Sequence, residues 1–155
     1  MNEKQRKYEK IVFRILFAIY VLLVIYFLFF AETTGRTISD RTYHYNLILF
    51  KEIKRFIVYR EQLGMFAVTA NLLGNVLIFL PFGMLVPFLT KRFKTFWSVA
   101  LLTFEMSVLV ELVQLVTKVG SCDVDDILLN TIGGMLGFVC YAIAVRCRRK
   151  VHYGK

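Results

Sequence analysis

The sequence has few of the residues from which soluble enzymes and disulfide-bonded scaffolds are built. Its 155 residues include two histidines, two prolines, three cysteines and one tryptophan. It contains no H-E-x-x-H motif, no glycine-rich phosphate loop and no Ser–His pairing. Three cysteines are too few for a disulfide framework. We therefore favour a non-enzymatic protein, leave catalytic residues unassigned and exclude a disulfide scaffold.

Apolar residues, by contrast, make up 57% of the chain, whereas soluble domains have about 45–50%. The chain is also basic, with 20 Lys and Arg against 11 Asp and Glu. These basic residues are spread over several short segments rather than along one stripe, which argues against nucleic-acid binding. The composition therefore indicates one membrane domain over residues 1–155, with the lipid bilayer as its partner.

Four apolar segments are long enough to cross a bilayer, which takes about 20 residues. In lipid the backbone must satisfy its own hydrogen bonds, so each segment should be helical. The sequence predicts an all-α membrane protein with four transmembrane helices, at about residues 11–31, 66–89, 96–117 and 127–145. Twelve Lys and Arg lie in the two tails and the 91–94 turn against seven on the other side. This asymmetry predicts both termini in the cytoplasm.

The loop between the first two spans contains an amphipathic pattern from Asn46 to Ile57. Apolar side chains recur there at helical spacing, whereas Lys51, Lys54 and Arg55 fall on another face. The pattern favours an amphipathic helix lying in the outer interface, a cap packed over the bundle, or both.

Polar side chains inside a membrane are costly, so their positions are informative. With the predicted orientation they gather in the extracytoplasmic half of the bundle: Asn75 in the second span, Glu111 and Gln114 in the third, Asp123 and Asp126 in the following loop, and Asn130 in the fourth. We predict that these six residues line a ligand-binding site. The sequence indicates no cofactor and no metal ligand, with a divalent cation held by the acids as an alternative.

These residues also have a purely structural interpretation. Asp123 is suited to cap the N-terminus of the fourth helix, where Asp126 would also favour the helix dipole. The asparagines are suited to hydrogen bonds between helices. Glu111 needs protonation, pairing or contact with water in either role.

Prolines and glycines predict how the helices pack. Proline removes a helical hydrogen bond, so the second span should bend or break around Pro81, which Gly83 follows within one turn. Gly133 and Gly137 form a GxxxG pattern in the fourth span, which permits close approach of helices. That approach occurs either within one chain or between two copies, so a homo-oligomer is an alternative.

Several motifs together resemble the VanZ-like family of membrane proteins. Residues 75–83, NVLIFLPFG, are similar to its N-x-x-x-F-x-P-F-G signature, and residues 111–114, ELVQ, resemble its E-x-x-Q. Residues 123–137 resemble its D-x-x-D-x-x-x-N-x-x-G-G-x-x-G element, and Asn46-Leu47 with Phe50 resembles an N-L-x-x-F element. The matches run in one order over roughly residues 46–138.

The resemblance implies a bacterial plasma-membrane protein that contributes to resistance to teicoplanin, a lipoglycopeptide antibiotic acting on cell-wall precursors outside the cell. We expect the polar site to bind, or alter access to, a lipid, a lipid-linked precursor or the lipoglycopeptide. One alternative is an intramembrane enzyme that modifies a lipid or cell-wall precursor. Another is a structural partner protein with no ligand, in which the polar residues only join the helices.

Overall fold

A computed structural model of the chain describes residues 3–29, 43, 45–118 and 121–153. Within these residues the elements are, in chain order, α1 (Glu3–Phe29), β1 (Tyr45–Asn46), α2 (Lys51–Val58), α3 (Arg60–Leu63), α4 (Met65–Leu89), α5 (Phe96–Thr117), β2 (Cys122–Asp123) and α6 (Val124–Tyr153). Helices α1, α4, α5 and α6 are long and apolar enough to span a membrane. The predicted all-α fold with four transmembrane helices is therefore confirmed.

Two of these helices extend beyond the predicted apolar spans. Helix α1 begins at Glu3 and α6 continues to Tyr153, because Lys and Arg in both tails, and Glu in the N-terminal tail, are good helix formers. Residues 30 and 31 of the predicted first span, and the first part of the loop after it, lie outside the described residues. Helix α5 begins at a capping box, in which the Ser98 N–H donates to Thr95 Oγ1 at 3.3 Å.

The centre of the bundle is α4, against which the other three long helices pack. Its buried residues Phe79, Phe82 and Val86 form the apolar core. Helix α1 is attached to α4 by the Tyr20 hydroxyl, which donates to the Ile78 carbonyl at 2.9 Å. Nearer the start of α1, the ring of Phe13 stacks on the ring of Phe88 in α4, with centroids 4.2 Å apart.

Glycines bring the backbones of α4 and α6 into direct contact. A Cβ at Gly133 would lie 2.2 Å from the Val76 carbonyl oxygen, and one at Gly137 would lie 2.0 Å from that of Leu80. On α4, a Cβ at Gly83 would lie 1.9 Å from the carbonyl oxygen of α6 residue 134. The glycine face thus packs within one chain, and a homo-oligomer stays a prediction.

Helix α4 does not break at its prolines, and the alternative that it bends there stays a prediction. Helix α4 is continuous from Met65 to Leu89, with Pro81 and Pro87 inside it. We attribute this continuity to close packing on α6. Before Pro81, Gly133 and Gly137 of α6 lie against Val76 and Leu80. After Pro81, Gly83 lies against the backbone of α6. Neighbouring helices sustain prolines in membrane helices in this way.

The segment before α4 forms the predicted short helix and also contacts the start of α6. Strands β1 and β2 are parallel, with Tyr45 opposite Cys122 and Asn46 opposite Asp123. Helix α2 turns Ile53 and Phe56 toward the protein, where both are half-buried, and leaves its three basic side chains exposed. The amphipathic helix is therefore present, and its location at the membrane interface stays a prediction.

Candidate functional site

Polar side chains gather where α5 ends and α6 begins. We call this part of the bundle the polar end; it comprises Asn46, Asn75, Glu111, Asp123, Asp125 and Asp126. Five different segments meet there, and the acids at the start of α6 hold them together. Each of the three aspartates contacts a different segment: Asp123 bonds to β1, Asp125 to α2 and Asp126 to α4.

Asp123 joins β1 and α5 to the start of α6. Its Oδ1 accepts a hydrogen bond from Asn46 Nδ2 at 3.0 Å and one from the Asp125 N–H at 2.8 Å. The second bond makes Asp123 the N-cap of α6, which is the structural role considered for it. Burial raises the pKa of the Asp123 carboxyl, although the hydrogen bonds from the Asp125 N–H and Asn46 lower it.

Glu111 fixes the end of α5 to the same residue. Its side chain is 3% exposed, and its Oε2 accepts the Asp123 N–H at 2.9 Å. A buried carboxylate needs hydrogen bonds to offset its lost hydration. The hydrogen bond from the Asp123 N–H is thus one reason that a carboxyl group is tolerated at Glu111, within a transmembrane helix.

Asp126 joins α6 to α4. Its Oδ1 accepts a hydrogen bond from Asn75 Nδ2. Both side chains are only partly buried, in contrast to Glu111 and Asp123. Of the six predicted site residues, these two are the ones that are not buried.

Asp125 is a member of the polar end that sequence reasoning missed. It is 1% exposed, and its carboxylate accepts the backbone N–H groups of Phe50 at 2.5 Å, Glu52 at 2.9 Å and Ile53 at 3.1 Å. The N-terminus of α2 has no side-chain cap of its own, and Phe50 there has the left-handed φ of 65°. The carboxylate of Asp125 therefore caps α2 from another helix.

A polar face of α5 continues from the polar end toward the middle of the bundle. Thr103, Ser107, Glu111 and Gln114 are all buried and lie on one side of the helix. Asn130 is 2% exposed and donates from Nδ2 to Ser107 Oγ at 2.9 Å, which joins α6 to α5. None of the hydrogen bonds among the described residues involves the side chain of Gln114.

The polar end has little of what catalysis or metal binding requires. Burial raises the pKa of the Cys122 thiol, and the nearby Glu111 and Asp123 carboxylates raise it further, so this sulfur is a poor nucleophile. Among the residues that the structure describes, no three His, Cys, Asp or Glu side chains are arranged to hold a metal ion. The divalent-cation alternative stays a prediction.

A groove opens beside Asn75, between α1 and α4, and we call it the α1–α4 groove. Its volume is about 450 Å³. Apolar side chains form most of its lining, with Phe27 on α1 and Leu77 and Ile78 on α4. Asn71, one helical turn before Asn75, also lines it. The groove therefore lies beside Asn75, the α4 partner of Asp126, and opens on the outside of the bundle.

Glu105 lies apart from the polar end, on the exposed side of α5. It is the tenth of 22 residues, about 14 Å along a helix of roughly 33 Å, so it is near mid-membrane. A charged side chain at that depth costs about 2.5–3.5 kcal/mol on insertion scales. We expect Glu105→Leu to leave the amount of folded protein in the membrane equal to wild type or higher.

Glu111→Leu is the matched substitution on the buried face of the same helix. It removes the acceptor of the Asp123 N–H, so we expect it to lower the amount of folded protein. Immunoblots of membrane fractions and thermal melting in detergent measure both variants. A loss of Glu105→Leu protein would contradict the prediction and would indicate that this carboxyl binds a partner in the membrane.

Comparison with known proteins adds a family relationship to this geometry. The model of the VanZ/LLP1 family matches residues 17–145. The chain is 31% identical to Protein VanZ of Enterococcus faecium over 109 residues, which is 63% of this chain. The match spans 66% of the length of that relative. No solved structure matches the chain.

Proposed function

The chain belongs to the VanZ/LLP1 family, and from this premise we propose that it contributes to teicoplanin resistance, the function that the resemblance implies. In this proposal the polar end binds a lipid or a lipid-linked cell-wall precursor, or alters access to it. The observation that carries the proposal is the Asn75–Asp126 pair, a partly exposed polar contact between two transmembrane helices. Polar groups at such positions typically mark functional sites.

The proposal places the protein in the bacterial plasma membrane with both termini in the cytoplasm. Twelve Lys and Arg in the tails and the 91–94 turn support this orientation, against seven on the opposite side. The polar end then faces the extracytoplasmic leaflet, where cell-wall precursors are displayed.

Burial separates the residues that contact the ligand from those that hold the site. Glu111, Asp123 and Asn130 are almost fully buried and hydrogen-bonded, so we assign them the task of fixing α5, β1 and α6. Asn75 and Asp126 are partly exposed and have polar atoms near the surface, so we assign them ligand contact. Gln114 is buried on α5, one turn after Glu111, and we assign it to the support of the same end.

We propose binding rather than catalysis, without a cofactor. An acid–base mechanism would need a nucleophile or an activated water beside the carboxylates. The raised pKa of Cys122 argues against a thiolate nucleophile there. A bound amide or hydroxyl of a precursor head group would suit the Asn75 carboxamide and the Asp126 carboxylate, which offer one donor group and several acceptors.

Asp126→Asn tests the proposal directly, because it removes the charge while keeping the size of the side chain. We expect the variant to reach wild-type abundance in the membrane and to lose teicoplanin resistance, measured as the minimal inhibitory concentration. The expected loss returns the strain to the value of cells that lack the protein.

The swapped variant Asn75→Asp with Asp126→Asn is the control. It restores a carboxylate–carboxamide hydrogen bond between α4 and α6 but moves the charge to α4. If the pair only joined the helices, the swap would restore resistance. Full resistance of Asp126→Asn at normal abundance would overturn the ligand-binding proposal.

A further inference from the structure

The α1–α4 groove has the features of a lipid site of its own. Its volume of about 450 Å³ falls within the roughly 300–1,000 Å³ of ligand sites. We propose that it binds one acyl chain of a glycerolipid from the surrounding leaflet, with Asn71 donating a hydrogen bond to the ester carbonyl of that chain. This inference rests on the proposed function, since it gives the ligand of the Asn75–Asp126 site a lateral route from the bilayer.

The lining of the groove indicates a neutral, largely hydrocarbon occupant. None of the described residues that line it is charged, so we place the phosphate of the lipid outside the groove. Phe27, Leu77 and Ile78 offer apolar contact from two sides. Because the groove lies on transmembrane helices, the molecules that surround it are lipids, and their chains match this surface.

Asn71 is a polar residue in the lining of the groove. Its side chain is exposed, and none of the hydrogen bonds within the described part of the chain involves it. An amide in an apolar environment is costly without a hydrogen-bond partner. Asn71 lies three residues after Val68, the first residue of the apolar span, which is about 5 Å along the axis, so we place its amide within reach of lipid ester groups at the edge of the hydrocarbon. An ester carbonyl there accepts the hydrogen bond that the amide lacks.

Gly74 marks the empty space in the groove. An added Cβ at Gly74 would meet nothing within 4 Å, whereas a Cβ at Gly137 would meet the α4 backbone. Glycine is less favourable than alanine within a helix, and no close packing at Gly74 offsets that disadvantage. The open volume beside this residue is the volume that the acyl chain would fill.

The experiment uses the purified full-length protein in vesicles of phosphatidylglycerol that carry a trace of the same lipid with a photoactivatable acyl chain. Gly74→Leu fills the groove, and we expect about a tenfold loss of labelling on α1 and α4, corresponding to roughly 1.4 kcal/mol. Leu73→Phe adds bulk to the neighbouring exposed position outside the groove and should label like wild type.

Two further variants keep the test decisive if Gly74→Leu folds poorly. Ala70→Phe fills the groove from a second lining position, and Asn71→Leu removes the amide while keeping the surface apolar. We expect Asn71→Leu to lose the preference for an ester-linked chain over an ether-linked chain in paired labelling reactions. Thermal melting in detergent confirms that each variant is folded.

Unchanged labelling of folded Gly74→Leu or Ala70→Phe would overturn the groove proposal. A cross-link to a second copy of the chain through this groove would also overturn it. Either result leaves the resistance assay of Asp126→Asn unaffected, so failure of the groove is distinguishable from failure of the polar end. Competition by teicoplanin but not by unlabelled phosphatidylglycerol would assign the groove to the antibiotic tail and overturn the membrane-lipid proposal.

Discussion

Gly137→Ala is expected to leave little folded protein in the membrane. The new Cβ would lie 2.0 Å from the Leu80 carbonyl oxygen and 2.9 Å from the Met84 amide nitrogen. Both are backbone atoms of α4, so no side-chain rotation relieves the clash. Overpacking typically costs about 1–3 kcal/mol, and we expect a value at or above the upper end. Helices α4 and α6 would have to separate, and the Asn75–Asp126 bond would separate with them.

Gly74→Ala is the matched control on α4, since its Cβ meets nothing within 4 Å. Alanine favours the helix, so this variant should be as stable as wild type or slightly more stable. Thermal melting in detergent compares the two, and a loss of 3 kcal/mol corresponds to a fall of about 6–12 °C. A Gly137→Ala protein that melts within about 2 °C of wild type would mean that α4 and α6 do not approach this closely.

The sequence alone could not show that Gly137 is closely packed whereas Gly74 is not. Both lie in apolar helices, and the GxxxG pattern of Gly133 and Gly137 left packing and dimerisation equally open. Packing within the chain depends on which helix faces α6, and this depends on tertiary contacts across the chain. The four spans, by contrast, follow from the length of the apolar segments, since a single apolar segment in lipid satisfies its own backbone hydrogen bonds as a helix.

The polar end was predictable as a location and not as a set of contacts. The spans and their order place Asn75, Glu111, Asp123 and Asp126 at the same end of the bundle. Which pairs form depends on helix rotation, and the structure joins Asn75 to Asp126 and Glu111 to the Asp123 backbone. Helix α4 is likewise unbroken at Pro81, because packing against α6 outweighs a local rule.

Asp125 was missed because its partners are backbone groups. Every residue except proline has a backbone N–H, so the sequence of the partner segment contains no residue type or spacing that would indicate a hydrogen bond to Asp125. Its neighbours in the sequence gave clearer signals, since Asp123 precedes a helix and Asp126 resembles a family motif. Together these three acids hold β1, α2 and α4, so one short run organises most of the polar end.

Asp125→Asn is expected to loosen α2 without unfolding the bundle. The amide keeps a single acceptor oxygen, so at least one of the three bonds to Phe50, Glu52 and Ile53 is lost. A hydrogen bond to a charged group contributes about 1.5–3 kcal/mol. Backbone exchange at residues 50–53 should therefore rise by about tenfold or more, measured by hydrogen–deuterium exchange and mass spectrometry in lipid vesicles.

Asp126→Asn is the matched control, since it changes the adjacent residue, whose hydrogen bond goes to α4 rather than α2. Its exchange at residues 50–53 should equal wild type, and α5 should be unchanged in both variants. Equal exchange of α2 in Asp125→Asn and wild type would show that Asp125 does not cap this helix. A rise limited to α2 in Asp125→Asn, with resistance lowered only in Asp126→Asn, would separate the residue that positions the outer segment from the residue that contacts ligand.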